Sequence, residues 1–312
     1  MPSQPLHIIC STDSNFVNYT GVMLWSLLEH NAGAHIYVLV DKSLSQAERQ
    51  SILRLTKHFS CTIQFLSVDG ELLQNFPTIG GTITVATYYK IFSTELLPDD
   101  LDKVLYLDSD MLVRGSLDEL WNTDISDYAM AGVWDLYDNA PETYERLHYA
   151  PSLRYLNAGM LLINLRWWRQ HGVYEQCLDY IRQKHEHILW CEQDVLNAVL
   201  AEHKLVLPIR FNYQAQMLMQ CHYQTLTPEQ QSELCCEQNP VIVHFVGPAS
   251  LKPWKAESYG LPFVAEWVCA KRRSLWRFML LELPKHNRLK TFIKRYLLWP
   301  LGWKKSILYI QS

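Results

Sequence analysis

Short apolar runs alternate with longer stretches of helical period along the first 110 residues. Leu6-His7-Ile8-Ile9-Cys10 is a compact run of strand length, the pattern of a strand buried on both faces. Helical spacing follows, with Thr20 near its start and Val22, Met23, Leu24, Leu27 and Leu28 apolar. Residues 35–40 repeat the strand pattern. Ser45-x-x-Glu48 is a capping box, in which each residue satisfies the other's backbone N–H, and it opens a helix carrying Ile52, Leu53 and Leu55. Residues 62–68 and 104–107 supply two more strands, the last ending at Asp108. This alternation predicts a parallel, doubly wound α/β sheet with its working site at the carboxyl ends of the strands. The later chain is less regular. Residues 128–133, 159–165 and 241–245 read as strands, and 172–184 and 192–203 as helices.

Composition narrows the class. Of 312 residues, 48% are hydrophobic and 19% charged, which excludes a disordered chain and leaves ample material for a core. The net charge of −4 conceals an asymmetry: residues 1–270 carry a balance of −14 and residues 271–312 one of +10, with Glu282 the single acid there. A tail so unbalanced expects an anionic partner. The eight cysteines lie singly apart from Cys235–Cys236, with no CxxC, which suits free thiols in a reducing compartment. No secretory signal pattern opens the chain, and no apolar run reaches the ~18–20 residues of a membrane span. Without a linker before about residue 255, residues 1–255 read as one catalytic domain and 256–312 as a basic, aromatic-rich segment.

Neither GxGxxG nor a P-loop occurs, so any phosphate is held another way. The sharpest candidate is Asp108-Ser109-Asp110 after the apolar Val104-Leu105-Tyr106-Leu107. Residues i and i+2 of an extended segment point the same way, and paired carboxylates repel unless a cation separates them. Mg²⁺ or Mn²⁺ fits such hard oxygen ligands, and a solvated loop or helix cap fits the triplet too. His244 leaves the apolar run 241–243 and suits a third ligand or a satisfied core histidine. Gly247 permits close backbone approach and Lys252 offers a point charge to a phosphate, or the two belong to a Pro-rich turn. Asn157 stands where an apolar strand begins, and Glu192-Gln193-Asp194 at a helix start, where acids also favour the helix dipole. Asp13 and Asn15 lie in the loop after the first strand, where a nucleotide base and ribose or a helix cap belongs.

In this order and spacing the pieces resemble the retaining glycosyltransferases of family 8, with the nucleotide-sugar-binding GT-A fold. The resemblance is nearest to bacterial galactosyl- and glucosyltransferases that extend lipopolysaccharide or lipooligosaccharide. It rests on Thr87-Tyr88-Tyr89-Lys90, KVLYLDSDMLV at 103–113, NAGMLLINL at 157–165, EQDVLN at 192–197 and the segment 244–254, and spans residues 6–255. It implies a mixed GT-A sheet, with Asp108, Asp110 and His244 binding Mn²⁺ or Mg²⁺ on the diphosphate of a UDP-hexose. It implies uracil and ribose contacts from Asp13 and Asn15, and a diphosphate cover from Gly247 and Lys252. Lys90, Asp108, Ser109, Asp135, Asn157, Glu192 and Gln193 would line the donor site. Lys90 stands where relatives often carry Arg, Glu192 where Asp is usual, and the spacing to Lys252 is two residues longer.

The implied reaction moves galactose or glucose from UDP to a saccharide or glycolipid hydroxyl with retention. Gln193 is the nucleophile candidate by resemblance, but an amide oxygen is a poor nucleophile, so same-face attack is favoured, with Asp194 the reserve carboxylate. In the tail, Leu289, Phe292, Ile293, Tyr296 and Leu297 make an amphipathic stripe beside Arg288, Lys290, Lys294 and Arg295. Residues 271–312 are thus expected on an anionic membrane surface, the inner face of the cytoplasmic membrane, unless that helix docks on the domain. Nucleic acid is not expected, because the main domain is acidic and no known module is present. The rival readings are a phosphotransferase with a nucleophilic Asp in DxD and a non-catalytic UDP-sugar- or lipid-binding scaffold.

Overall fold

A computed structural model describes residues 5–69, 73, 76–78, 85–247, 251–258, 261–283 and 293. The predicted amphipathic helix at 288–297 lies outside the described residues apart from Ile293. Among the described residues, ten strands form two sheets. They are β1 (His7–Ser11), β2 (Ala34–Val40), β3 (Cys61–Ser67), β4 (Lys103–Leu107), β5 (Met111–Val113), β6 (Met130–Trp134), β7 (Leu156–Asn164), β8 (Lys204–Val206), β9 (Tyr213–Gln214) and β10 (Ile242–His244). The large sheet runs β3-β2-β1-β4-β7-β6-β8 and the small one β5-β10-β9.

The first four strands of the large sheet are parallel, as the apolar runs predict. The expectation of an all-parallel sheet is corrected at β7, which runs antiparallel to both β4 and β6. Its length and burial do not encode that direction: all nine residues are buried, as in any central strand. The reversal places the start of β7 beside the end of β4, where Leu107 pairs with Met160 and the Asp108 N–H donates to the Gly159 carbonyl at 2.8 Å. Asn157 and Gly159 therefore meet the Asp108-Ser109-Asp110 loop. A register shift between Gly132 and Trp134 bends the end of β6 toward the same edge.

Alternation along the strands divides the core. Ile8, Cys10, Leu105 and Leu107 face one layer, which includes the Val17–Leu28 and Val264–Arg273 helices. Ile9, Val104 and Tyr106 face the other, with Tyr88, Tyr89 and the Val173–Gln183 and Cys191–Val199 helices. The predicted capping box forms: the Glu48 N–H donates to Ser45 Oγ at 3.3 Å and the Ser45 N–H to Glu48 Oε2 at 2.8 Å. The core also runs across the expected boundary at residue 255. Trp254, Ala256, Trp267 and Trp276 belong to the same apolar layer, and the Trp276 ring covers Gly21 so closely that a Cβ there would overlap it.

Candidate active site

At the carboxyl edge of β4, Asp108 and Asp110 lie on either side of Ser109, where the chain leaves the strand into a turn, and both meet His244 at the end of β10. One ligand atom from each of the three lies within 4.8 Å of the others. His244 Nε2 is 3.2 Å from Asp110 Oδ1 and 3.9 Å from Asp108 Oδ2. Tyr106 donates its hydroxyl to Asp108 Oδ1 at 2.7 Å, which aims Oδ2 at the cluster. Gly159 is what allows this convergence: a Cβ there would overlap the His244 ring and stand 2.8 Å from Asp108 Oδ2.

Two carboxylates and an imidazole fit a divalent ion of the Mn²⁺ or Mg²⁺ kind in donor chemistry and spacing. Lys252 supports the fit, because its ammonium already stands on this cluster, 2.5 Å from Asp110 Oδ2 and 2.9 Å from the Phe245 carbonyl. Burial pushes the Asp110 carboxyl up, but Lys252 and then His244 overcome it and hold the group well below the usual carboxylate range. The ammonium stands where a cation would sit on Asp110, and an incoming metal ion would take its place on that carboxylate. Gly247, with φ at +105°, turns the chain between His244 and Lys252. Residues 248–250 lie outside the described residues.

A network of buried polar side chains adjoins the cluster. Asn157 donates to Asp135 Oδ2 at 2.8 Å, and Gln193 Oε1 accepts the Ala158 N–H at 2.9 Å. Asp135 Oδ1 also takes the Tyr137 N–H at 2.9 Å. Burial raises the Asp135 carboxyl, against hydrogen bonds from Asn157, Tyr137 and Gln193. Lys90 is wholly buried and donates to Glu192 Oε1 at 2.6 Å and to the Ala158 carbonyl at 2.9 Å, over the Tyr106 ring. Thr87 donates to the other Glu192 oxygen. Burial raises the Glu192 carboxyl and Lys90 opposes the shift. The longer Glu and the Lys thus close on each other in a buried ion pair.

Three expectations change. Asp194 is not brought to the cluster: it accepts from Arg146 at 2.7 and 3.1 Å, the Tyr155 hydroxyl at 2.7 Å and the Leu189 and Trp190 N–H groups at 2.7 Å each. These five bonds use its lone pairs and hold the turn at Cys191, φ +51°, that presents Glu192 and Gln193. Ser109, at the odd position of the triplet, faces the opposite side and bonds the Ser11 carbonyl at 3.1 Å and Thr20 Oγ1 at 2.8 Å. Asp13 is partly structural, because its Oδ1 accepts the Asn15 and Phe16 N–H groups at 2.8 and 3.0 Å at the entrance to the Val17–Leu28 helix. Its neighbour Asn15 is exposed.

The sequence reading missed Asn212, Arg146 and the part played by Tyr106. Arg146 and Asn212 sit in no motif, and only contacts over 48 and 55 residues, to Asp194 and Asn157, reveal them. Tyr106 reads as an ordinary strand residue.

This sheet order, with an Asp-x-Asp pair and a histidine at its carboxyl edge beside buried polar side chains, defines a glycosyltransferase of the GT-A fold. The family model of glycosyl transferase family 8 matches residues 7–258, and the chain belongs to that family. The crystal structure of the galactosyltransferase LgtC, in complex with donor and acceptor sugar analogs, superposes with a TM-score of 0.76 at 27% identity, covering 91% of this chain and 100% of that one. The lipopolysaccharide 1,3-galactosyltransferase of Salmonella typhimurium is 27% identical over 89% of this chain and 81% of its own length. The lipopolysaccharide glucosyltransferase WaaO of Escherichia coli is 23% identical over 94% and 85%.

Proposed function

We propose that the chain transfers a hexose, galactose or glucose, from UDP to a saccharide hydroxyl of lipopolysaccharide, lipooligosaccharide or another surface glycan, with retention of configuration. The observation that carries the reading is the meeting of Asp108, Asp110 and His244 beside a hydrogen-bonded network of buried amides and carboxylates. Relatives named as lipopolysaccharide galactosyl- and glucosyltransferases support the acceptor class.

Asp108, Asp110 and His244 would hold a Mn²⁺ or Mg²⁺ ion, whose positive charge would help bind a diphosphate and stabilise it as a leaving group. Lys252 adds a second charge beside Asp110, and Gly247 lets the backbone come close to a phosphate. Asp13 and Asn15 are assigned to the nucleoside, and Asp135, Asn157, Glu192 and Gln193 to the sugar. Retention by double displacement needs a nucleophile on the far face. Asp194 is saturated by its five donors, and the Gln193 oxygen already accepts the Ala158 N–H. Same-face attack through an oxocarbenium-like state, with a phosphate oxygen of UDP taking the acceptor proton, fits these residues best. Tyr137 and Trp190 stack at 4.7 Å next to Asp135 and Glu192 and offer an apolar face to an acceptor ring.

The membrane is assigned to residues 271–312, on the inner face of the cytoplasmic membrane. Phe278 and Leu280 are each 82% exposed, beside the exposed Arg272, Arg273 and Arg277. Apolar side chains among basic ones suit an anionic interface. Among the described residues no helix is long and apolar enough to cross a membrane.

The test is UDP release from a panel of UDP-sugars, with and without Mn²⁺, beside Asp110→Ala. Turnover of one UDP-hexose that chelation and the substitution both abolish is the expected result. UDP binding without release from any donor, even with bacterial glycolipid extract present, would defeat the reading.

A further inference from the structure

We propose that Asn212 is a positioning residue that locks His244 as its Nδ1–H tautomer and so keeps the Nε2 lone pair on the side of Asp108 and Asp110. The inference rests on the metal-binding reading of those three side chains. An imidazole binds a metal through an unprotonated nitrogen, and the partner of the other nitrogen decides which one that is.

His244 Nδ1 lies 3.0 Å from Asn212 Oδ1. The tautomer therefore depends on which end of the Asn212 amide faces the ring, and a fixed donor further along the chain of bonds settles it. The Gly159 N–H points at Asn157 Oδ1 from 3.0 Å, and a backbone N–H only donates. Asn157 must present its oxygen there and its nitrogen to Asp135 Oδ2, 2.8 Å away. The same Asn157 oxygen faces Asn212 Nδ2 at 2.9 Å, so Asn212 turns its nitrogen toward Asn157. Its oxygen is left for His244, and an oxygen accepts. Nδ1 then carries the hydrogen, which leaves Nε2, 3.2 Å from Asp110 Oδ1, as the nitrogen available to a metal ion.

Every member of this chain is buried, and Asn212 has no exposed surface, so no water offers an alternative partner from bulk solvent. The opposite Asn212 orientation would set its oxygen against Asn157 Oδ1, two acceptors 2.9 Å apart with no hydrogen between them. Asp135 and Asn157 thus fix the amide that fixes the imidazole.

The experiment uses the full chain. Long-range ¹H–¹⁵N spectra of the metal-free protein at pH 8 read the His244 tautomer, with the signal assigned by its loss in His244→Gln. Mn²⁺ affinity is read by electron paramagnetic resonance. The wild type is expected as Nδ1–H. Asn212→Leu and Asn212→Asp both lose the bond to Asn157, but only Asp keeps an oxygen for Nδ1–H. Asn212→Leu is expected to populate the Nε2–H tautomer and weaken Mn²⁺ binding about 10–100-fold, the usual scale for lost support of a ligating histidine. Asn212→Asp is expected to retain Nδ1–H. A wild-type His244 that is Nε2–H or imidazolium would overturn the proposal without any variant. So would Asn212→Leu with an unchanged tautomer and a Kd within twofold of wild type. If the wild type binds neither Mn²⁺ nor Mg²⁺, the metal reading fails, and the wild-type and variant spectra still decide the tautomer.

Discussion

Replacing Gly159 by alanine tests how closely the candidate metal ligands are packed. The residue lies in β7 without a positive φ, so alanine meets no backbone strain and its whole effect is contact. The new Cβ would stand 2.8 Å from Asp108 Oδ2 and 2.9 Å from His244 Nδ1, and closer still to His244 Cε1. Ordinary contact begins near 3.4 Å, so both ligands must retreat by at least about half an ångström. His244 is buried on Asn212, and Asp108, although 31% exposed, is held in place by the Tyr106 hydroxyl. Displacements near 1 Å in an active site cost about 10²-fold in rate, so kcat/KM is expected to fall about 10–100-fold. Overpacking adds about 1–3 kcal/mol of destabilisation. The assay is Mn²⁺-dependent UDP release, paired with a urea melt to separate the two effects. Gly115→Ala is the control, because its Cβ meets nothing nearer than 3.9 Å, and it should stay within about 0.5 kcal/mol. Wild-type kcat/KM and Mn²⁺ affinity in Gly159→Ala would refute the packing argument.

Asp194→Ala should act on the fold: it strands Arg146 and Tyr155, and the urea midpoint should report a loss of about 3–5 kcal/mol. Unchanged stability with turnover abolished would instead restore Asp194 as a nucleophile. Lys252→Met should shift the acid-unfolding midpoint of the metal-free protein to higher pH. A carboxyl held below its ordinary value of 3.8, as Asp110 is, stabilises the fold above that value and loses the contribution as pH falls toward its folded value. Removing Lys252 raises that folded value, so the contribution is lost sooner, and an unmoved midpoint would count against the pair. The double substitution Phe278→Ser with Leu280→Ser should reduce sedimentation with anionic vesicles and leave UDP release in solution unchanged. Equal binding by the variant would remove these two side chains from the membrane contact.

Much of the frame is local and so was legible. The apolar runs of β1 to β4 and the Ser45–Glu48 box depend on neighbours within a few residues. Asp108 and Asp110 were expected on one side from the alternation of an extended chain, but it is a turn at residues 109–110 that brings both carboxylates to His244. Ser109, in that turn, points away to Ser11 and Thr20. Short elements were lost, β5, β8 and β9 among them, because two or three residues carry no period.

The order of motifs along the chain determined the family resemblance, the strand-end position of the Asp-x-Asp pair and the residues assigned to the donor. Tertiary structure decided the rest. The direction of β7 follows from pairing with strands about 50 residues earlier and 30 residues earlier in the chain, and no hydrophobic pattern records it. Asp194, between Gln193 and a helix interior, became a structural acceptor because Arg146 and Tyr155 reach it from 48 and 39 residues away. Asn212 gained its hold on His244 in the same way, across 32 residues. Backbone periodicity is written in adjacent side chains, whereas a hydrogen-bond partner is chosen only when the folded sheet brings distant residues within about 3 Å.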